Sequence, residues 1–240
     1  MQKFKHISFA TSNMYGTQRE LIESITNYGI ESIEYDENSI DSKYTIDYAH
    51  ILNNFNCRGG GYWLWKPYII LDQMNKSNEG DVIMYTDAGM CAISDPNQLL
   101  CVLDNNWLGL FNMDIPLIKY TKRECFKILG SDTVDYHNLP FVDASVILVK
   151  VCKQSRDFML EYQHHCENDQ CLTDIPMDRN IQYPEYMGDH RHDQSILSIL
   201  SLKYGMTYHR MASQHSQGCE ITYNNSPYPQ IFNHHRKRSQ

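Results

Sequence analysis

The chain of 240 residues is long enough for one large domain or two small ones, and its formal net charge of −8 argues against general binding to nucleic acid. Its eight cysteines contain no C-x-x-C pair, which argues against a zinc ribbon. No apolar run approaches membrane-spanning length, and the N-terminus lacks the apolar core of a signal peptide. We therefore predict a cytoplasmic protein with no integral membrane segment.

The beginning of the chain predicts a β-α-β unit. Residues 7–10 form an apolar strand that runs into a polar turn at 11–15. Residues 17–28 carry apolar side chains at helical spacing, and residues 30–35 alternate as a second strand would. A strand, a helix and a strand in this order imply a parallel sheet with a right-handed crossover.

The rest of the chain continues an α/β pattern. We predict helices at 65–74, 122–129, 155–166 and 194–204, and strands at 81–85, 107–111, 117–120, 141–149 and 206–209. There is no internal repeat and no linker, so the economical interpretation is one α/β domain over residues 1–223. Residues 224–240 are rich in Pro and Asn and end in a basic run, which we predict to be a solvated tail.

The segment from Arg58 to Pro67 combines three glycines, two tryptophans and a lysine. Arg58 and Lys66 could each neutralise a phosphate oxygen, and an arginine can do so through two parallel hydrogen bonds. We expect one tryptophan to be buried and the other to line a site, although both could be ordinary core anchors. The segment is not a P-loop, because no Gly-Lys-Ser or Gly-Lys-Thr follows the glycines.

Asp87 follows the apolar strand at 81–85 and precedes Ala88 and Gly89. It should lie at the carboxyl end of a central strand, where ligands bind in open α/β sheets. A carboxylate there can hold Mn²⁺ or Mg²⁺, which in turn bridges the two phosphates of a nucleotide. The small neighbours let a ligand approach the backbone. The alternative is that Asp87 only caps the following turn.

Two further carboxylates lie in promising places. Asp193 opens the predicted helix at 194–204 and is either a helix cap or a general base near the reactive carbon of a sugar. Asp143 and Ser145 lie near the beginning of the predicted strand at 141–149. Both could hydrogen-bond sugar hydroxyls, although such residues are also common in turns.

Histidines near the end of the chain raise the question of a zinc site. His190 and His192 are only two residues apart and lack the helical spacing of an H-E-x-x-H motif, so we do not favour zinc there. His215 is a candidate metal ligand, but a lone histidine is more often structural.

The order of these elements resembles that of GT-A-type glycosyltransferases. The matching features are a first strand ending in Thr11-Ser-Asn-Met-Tyr15, a mid-chain strand ending in Tyr85-Thr-Asp-Ala-Gly89, the Asp143-Ala-Ser145 strand and a late Asp193-Gln194. Three motifs, Gly61-Tyr-Trp-Leu-Trp-Lys-Pro67, Thr121-Lys-Arg123 and His190-Arg-His-Asp-Gln-Ser195, resemble a group of glycosyltransferases from bacterial polysaccharide clusters and large DNA viruses. The resemblance implies a single GT-A-like, Rossmann-like domain whose mixed, mainly parallel central sheet is flanked by helices.

The resemblance also implies a nucleotide-diphosphate sugar as donor, bound over the N-terminal half with its base near Thr11, Ser12 and Tyr15. It implies that Asp143 and Asp193 lie toward the transferred sugar and the acceptor. The other expected donor contacts are Arg58, Tyr62, Trp65, Lys66, Asp87, Ala88, Gly89, Ser145 and Gln194.

The sequence departs from the family pattern at one position. The resemblance places Asp87 at the usual Asp-x-Asp site, but the second aspartate of that pattern is Gly89 here. Either His215 completes a site for Mn²⁺ or Mg²⁺, or Arg58 and Lys66 handle the diphosphate with little dependence on metal.

We therefore predict a glycosyltransferase that moves a sugar to a hydroxyl of a glycan or lipid-linked acceptor, in the host cytoplasm if the protein is viral. Asp193 or Asp143 would assist the acceptor hydroxyl. One alternative is a sugar-nucleotide nucleotidyltransferase. That reaction would require a loop rich in glycine and in lysine or arginine directly after the first strand, and residues 11–15 do not form such a loop. The other is a non-catalytic glycan-binding module, for which 17 tyrosines and three tryptophans would supply stacking faces.

Overall fold

A computed structural model of the protein describes residues 2–52, 58–175, 189–213 and 226–235. The strands are β1 (Phe4–Phe9), β2 (Glu31–Tyr35), β3 (Val82–Thr86), β4 (Met90–Ala92), β5 (Leu108–Pro116), β6 (Pro140–Lys150), β7 (Tyr208–Arg210) and β8 (Phe232–His234). The α-helices are α1 (Tyr15–Thr26), α2 (Ser42–Asp47), α3 (Ala49–Leu52), α4 (Gly59–Tyr62), α5 (Trp65–Asn75), α6 (Arg123–Ile128), α7 (Val134–His137), α8 (Lys153–Cys166), α9 (Asp169–Leu172) and α10 (His192–Lys203). In addition, 3-10 helices span Ser12–Met14, Glu37–Ser39, Pro96–Leu103 and Leu117–Lys119.

Within the described residues, a six-stranded sheet has the order β2-β1-β3-β6-β5-β7. The pairs β1–β2, β1–β3 and β5–β7 are parallel, whereas β6 is antiparallel to both of its neighbours. All strands except β6 therefore run in one direction, and the sheet is mixed but mainly parallel, as predicted. Because β6 runs the other way, its beginning lies at the same edge of the sheet as the carboxyl ends of β1 and β3.

The sheet is buried on both faces, and all five residues of β3 are buried, which explains why four of them, Val82 to Tyr85, form an apolar run. Its side chains alternate between two cores: Ile83 and Tyr85 belong to one, and Val82 and Met84 to the other. Apolar residues of α5, α8 and α10 fill the first core, and residues of α1 fill the second. This three-layer α/β arrangement confirms the predicted fold class.

One predicted strand is wrong. The apolar run at 117–120 forms the 3-10 helix Leu117–Lys119 instead, and β5 ends just before it at Pro116. Leu117 and Ile118 are buried in that helical turn, so their apolar character reflects core packing rather than strand pairing. The predicted β-α-β unit at the beginning of the chain is confirmed, since α1 connects the parallel strands β1 and β2.

Residues 226–235, which fall in the predicted tail, pack against the domain. β8 pairs antiparallel with β4, and Tyr228, Ile231 and Phe232 are buried in the second core. The predicted boundary between residues 223 and 224 lies outside the described residues. In the part of the chain that the structure describes, no helix is long and apolar enough to cross a membrane.

Candidate active site

An open pocket of about 1070 Å³ lies at the carboxyl edge of the parallel strands. Its walls come from segments that are far apart in sequence: residues 9–14 from the end of β1 onward, 58–66, 85–89 from the end of β3 onward, 143–145 near the beginning of β6, and 191–194 at the beginning of α10. Brought together, these segments match the place where open α/β sheets bind ligands.

Lys66 lies at the centre of a buried charge network in this pocket. Its side chain is 2% exposed, and its Nζ is 2.6 Å from Asp193 Oδ2 and 3.7 Å from Asp87 Oδ1. It also donates a hydrogen bond to the Ala144 carbonyl (3.1 Å). One ammonium thus joins the end of β3, the beginning of β6 and the first turn of α10, which fixes the relative positions of two of the predicted site carboxylates.

Two buried tyrosines complete this network. The Tyr85 hydroxyl donates to Asp87 Oδ1 (2.6 Å), and the Tyr162 hydroxyl donates to Asp193 Oδ2 (3.2 Å). Both carboxylates are therefore oriented by a neutral donor as well as by Lys66. Asp193 is not the cap of α10, because Arg191 holds that position and the Asp193 side chain turns to Lys66. The capping alternative for Asp193 is wrong.

Burial and charge pairing act against each other in the ion pair. Burial raises the pKa of Asp193 to about 6, although the Lys66 charge and hydrogen bond lower it. For Lys66, burial lowers the pKa but the charges of Asp193 and Asp87 outweigh it, so the pKa of the ammonium is raised. The lysine stays charged at neutral pH, and the proton that enters the pair on acidification binds to Asp193.

Asp143 is held within its own strand. Its carboxylate accepts hydrogen bonds from the Ser145 backbone N–H (2.9 Å) and from the Ser145 hydroxyl (2.7 Å). Burial raises the pKa of Asp143, and the two bonds from Ser145 oppose that rise. Asp143 and Ser145 therefore do both things considered from the sequence. They form a local, turn-like hydrogen-bonded pair near the beginning of the strand, and they line the pocket.

The glycine-tryptophan segment forms a left-handed turn. The φ angles of residues 59–63 are 63°, 60°, 97°, 53° and 60°, so Tyr62 and Trp63 also adopt a conformation that L-residues disfavour. The Trp65 indole N–H donates to the Gly59 carbonyl (3.0 Å), and the Trp63 ring lies directly against Gly59. Trp65 is buried and Trp63 is partly exposed, although both line the pocket.

Gly59→Ala should destabilise the fold more than Gly29→Ala. An added Cβ at Gly59 would lie 2.2 Å from the Trp63 ring, whereas at Gly29 it would meet nothing within 4 Å, and both glycines have positive φ. Gly29→Ala therefore measures backbone strain alone, about 1–2 kcal/mol, and Gly59→Ala should cost a further ~1–3 kcal/mol from overpacking. Urea unfolding followed by tryptophan fluorescence measures both. Equal losses for the two variants would show that Trp63 does not rest on Gly59.

Most of the sequence-predicted site residues line the pocket. They are Thr11, Arg58, Trp65, Lys66, Asp87, Ala88, Gly89, Asp143, Ser145, Asp193 and Gln194. Ser12, Tyr15 and Tyr62 do not. Glu37 accepts hydrogen bonds from the Ser12 backbone N–H (3.0 Å) and the Tyr15 hydroxyl (2.5 Å), and the Tyr62 ring packs against the His192 ring at 4.8 Å. His215 lies outside the described residues.

Arg58 is already paired in this structure. Its guanidinium donates to both carboxylate oxygens of Asp189 (3.2 and 2.6 Å) and lies 3.9 Å from Asp174. It lines the pocket, but a phosphate oxygen would have to compete with Asp189 for it. The predicted direct contact of Arg58 with a phosphate stays a prediction.

The pocket also contains residues that the sequence did not reveal. Trp63, Arg191 and His192 belong to the motifs described from the sequence. Their side chains reach the pocket because of the left-handed turn, in the case of Trp63, and because of the exact start of α10, in the case of Arg191 and His192. His234 and His235 lie in the predicted tail. The apolar Tyr228, Ile231 and Phe232 shortly before them were the available signal that this part of the chain packs on the domain.

His190 and His192 are used structurally. His190 Nε2 lies 2.8 Å from the Cys171 carbonyl and His192 Nδ1 lies 2.7 Å from the Leu172 carbonyl. A carbonyl only accepts, so these nitrogens carry protons and are not metal ligands. Burial lowers the pKa of His192 to about 4. The two rings anchor the beginning of α10 to the end of α9.

The donor groups in the pocket suit a hard divalent cation. Among the described residues, no group of three or more His, Cys, Asp or Glu side chains is arranged to hold a metal ion. However, Asp87, Asp143 and Asp193 share the pocket with one buried lysine, and Mg²⁺ is commonly held by one or two carboxylates plus substrate phosphates. The residues therefore fit Mn²⁺ or Mg²⁺ if the substrate supplies the remaining oxygens. His234 and His235 offer imidazole nitrogens in the same pocket.

The fold is that of GT-A-type glycosyltransferases. Among similar structures, the galactosyltransferase LgtC in complex with donor and acceptor sugar analogues has a TM-score of 0.52 at 18% identity, with 97% of this chain and 87% of that chain covered. Mouse xyloside xylosyltransferase 1 in its apo form has a TM-score of 0.51 at 8% identity, with 98% of both chains covered. The bifunctional glycosyltransferase WbbM in its apo form has a TM-score of 0.53 at 13% identity, with 100% of this chain but 46% of that chain covered.

At these identities the likeness establishes the fold alone. No protein-family model matches the sequence. No curated protein sequence matches it either.

Proposed function

We propose that this protein is a glycosyltransferase that moves a sugar from a nucleotide-diphosphate sugar to a hydroxyl of a glycan or lipid-linked acceptor. The observation that carries the proposal is the pocket at the carboxyl edge of the sheet, in which Lys66 binds Asp193 and Asp87 on two different elements. Such a buried, hydrogen-bonded charge cluster in a cleft is typical of a functional site. The GT-A fold supports the same assignment.

In the proposed mechanism the nucleotide occupies the end of the pocket formed by residues 9–14. Phe9 and Trp65 stack there with ring centroids 4.0 Å apart, which gives this end an aromatic wall. The diphosphate then extends toward Asp87. When bound, Mn²⁺ or Mg²⁺ held by Asp87 would neutralise the departing diphosphate.

Asp193 is proposed to act at the reacting sugar. Lys66 and Tyr162 both contact Oδ2, which fixes the carboxylate in the first turn of α10. A carboxylate held this way stabilises positive charge that develops on the sugar ring and orients the acceptor hydroxyl. Gln194 donates through Nε2 to the Val142 carbonyl (2.7 Å), which fixes the neighbouring side chain as well.

The activity should fall as the pH drops below about 6. Protonation of Asp193, whose pKa is raised to about 6 by burial, removes the charge that the proposed mechanism needs, so the rate should fall about tenfold per pH unit below that value. The stability of the fold should change in the opposite direction. The folded state binds this proton more tightly than the unfolded chain, so Asp193 adds stability as the pH falls from 6 toward 4.

A pH–rate profile and the difference in unfolding free energy between wild type and Asp193→Asn across the same range measure both effects. A constant rate between pH 7 and 5 would contradict the role of Asp193.

A binding screen tests the function directly. The protein is titrated calorimetrically with UDP, GDP and dTDP sugars, with and without Mn²⁺, with nucleoside triphosphates, and with oligosaccharides. The proposal predicts that a nucleoside diphosphate sugar binds best. A preference for triphosphates would favour a sugar-nucleotide nucleotidyltransferase instead, and binding of oligosaccharides alone would favour a glycan-binding module.

A further inference from the structure

Arg191 is a charged residue of the pocket with a fixed position. It occupies the N-cap position of α10, two residues before Asp193, and its backbone N–H lies 3.0 Å from the Tyr120 carbonyl and 3.3 Å from the Ser195 hydroxyl. Its guanidinium carbon lies 4.8 Å from the centroid of the Tyr120 ring. The side chain is 45% exposed and lines the pocket, so an aromatic face holds the cation while a ligand can still reach it.

The charge of Arg191 is less compensated than those of the other cations in the pocket. Of the lysine and arginine side chains that line it within the described residues, Lys66 is bound to Asp193 and Arg58 to Asp189. The carboxylate near Arg191 is also Asp189, but its Oδ2 is 3.9 Å from the Arg191 Nε, beyond hydrogen-bonding distance. Asp189 is already neutralised by two hydrogen bonds from Arg58.

The sheet order indicates which part of the substrate Arg191 would meet. The pocket wall runs from the end of β1, across β3 with Asp87, to β6 with Asp143, and then to the side of β5. Tyr120, which contacts Arg191, follows the 3-10 helix that continues from β5. Arg191 thus lies on the β5 side of the charge network, whereas the proposed nucleotide end lies on the β1 side. The acceptor would enter on the β5 side.

We propose that Arg191 binds an anionic group on the acceptor, so that the preferred acceptor is an acidic glycan. This inference rests on the proposed function. A guanidinium offers a planar set of N–H donors that matches a carboxylate or a phosphate with two parallel hydrogen bonds. The acidic group is either the carboxylate of a uronic acid or the phosphate of a phosphorylated or lipid-diphosphate-linked sugar.

The proposal is tested with matched acceptors at saturating donor. Transfer is measured to methyl hexosides, to the corresponding methyl hexuronides and to hexose phosphates, using the donor that the binding screen identifies. The wild type should use one of the two acidic classes with a kcat/KM about 10- to 100-fold above the neutral sugar, the range that charge-assisted hydrogen bonds supply. The comparison of hexuronides with hexose phosphates decides between carboxylate and phosphate.

Three variants connect this preference to Arg191. Arg191→Gln should bring the ratio of acidic to neutral kcat/KM close to one, and Arg191→Lys should retain part of it. Arg58→Gln should also lower the ratio, because Asp189 would then be released to pair with Arg191. Lys119→Gln is the matched control: its ammonium lies 5.7 Å from the same Tyr120 ring, yet it does not line the pocket, so the ratio should stay as in the wild type.

Two results would overturn the inference: a wild-type ratio near one, or an unchanged ratio in Arg191→Gln. Calorimetric binding of methyl hexuronides, hexose phosphates and methyl hexosides to wild type and Arg191→Gln gives a second measurement that needs no turnover, and equal affinities throughout would contradict the inference independently. If the wild type neither cleaves nor transfers from any nucleotide sugar, the proposed function itself fails, and the binding measurement still decides the role of Arg191.

Discussion

Lys66→Met is expected to lower the free energy of unfolding by about 3–5 kcal/mol and to abolish sugar transfer. The ammonium is 2% exposed and forms its shortest contact, 2.6 Å, with an almost fully buried Asp193 carboxylate. Removing one partner of a buried pair leaves the other charge without compensation, which is the costly case for buried ions. Urea unfolding at pH 7 measures the loss. Lys76→Met is the control, because Lys76 is the C-cap residue directly after the same helix α5 but its side chain is 61% exposed.

A double variant separates this electrostatic cost from lost packing. In Lys66→Met/Asp193→Asn the uncompensated carboxylate is gone, so the double variant should be more stable than Lys66→Met alone. The stability of Lys66→Met should also improve as the pH falls, and it should do so from a higher pH than in the wild type. The Lys66 charge and hydrogen bond lower the pKa of Asp193, so without them protonation removes the carboxylate charge earlier. If the two single losses simply add, the Lys66–Asp193 pair does not stabilise the fold in the way that its geometry indicates.

Asp87→Asn is expected to lower transfer and donor hydrolysis by at least about 100-fold while the fold stays intact, the loss typical of one missing electrostatic group in an active site. The side chain is 35% exposed toward the pocket, and an asparagine oxygen can still accept the hydrogen bond from the Tyr85 hydroxyl. The change therefore removes charge with little effect on packing.

The release of nucleoside diphosphate measures the loss in Asp87→Asn, and circular dichroism and thermal unfolding monitor the fold. Asp157→Asn is the matched control, because it removes a carboxylate of α8 that is 51% exposed and does not line the pocket. Undiminished turnover by Asp87→Asn would remove Asp87 from the site.

Much of the fold and part of the site follow from local sequence patterns. The β-α-β unit and the apolar strand before Asp87 were predictable because their periodicity is local, and the carboxyl edge of a parallel sheet then places Asp87 in a ligand site. Asp143 and Asp193 could also be predicted as site residues, since Asp143 lies near the beginning of a strand and Asp193 near the beginning of a helix.

The pairing inside the site could not be predicted. Lys66 and Asp193 are far apart in the sequence, and only the packing of α5 and α10 against the sheet brings their charges to 2.6 Å. The sequence therefore suggested Lys66 as a phosphate ligand, whereas the structure shows an ammonium that is already engaged. The left-handed conformation of Tyr62 and Trp63 was equally hidden, because residue preferences disfavour it and tertiary packing overrides them.

The most direct test of the central claim is to identify the product. The wild-type protein is incubated with UDP, GDP and dTDP sugars and a panel of neutral and acidic glycosides, and in parallel with nucleoside triphosphates and sugar phosphates. Each mixture is analysed by mass spectrometry. We predict that one acceptor gains the mass of one sugar residue while an equal amount of nucleoside diphosphate is released. Synthesis of a nucleotide sugar from a triphosphate and a sugar phosphate, or oligosaccharide binding without any turnover, would contradict the account.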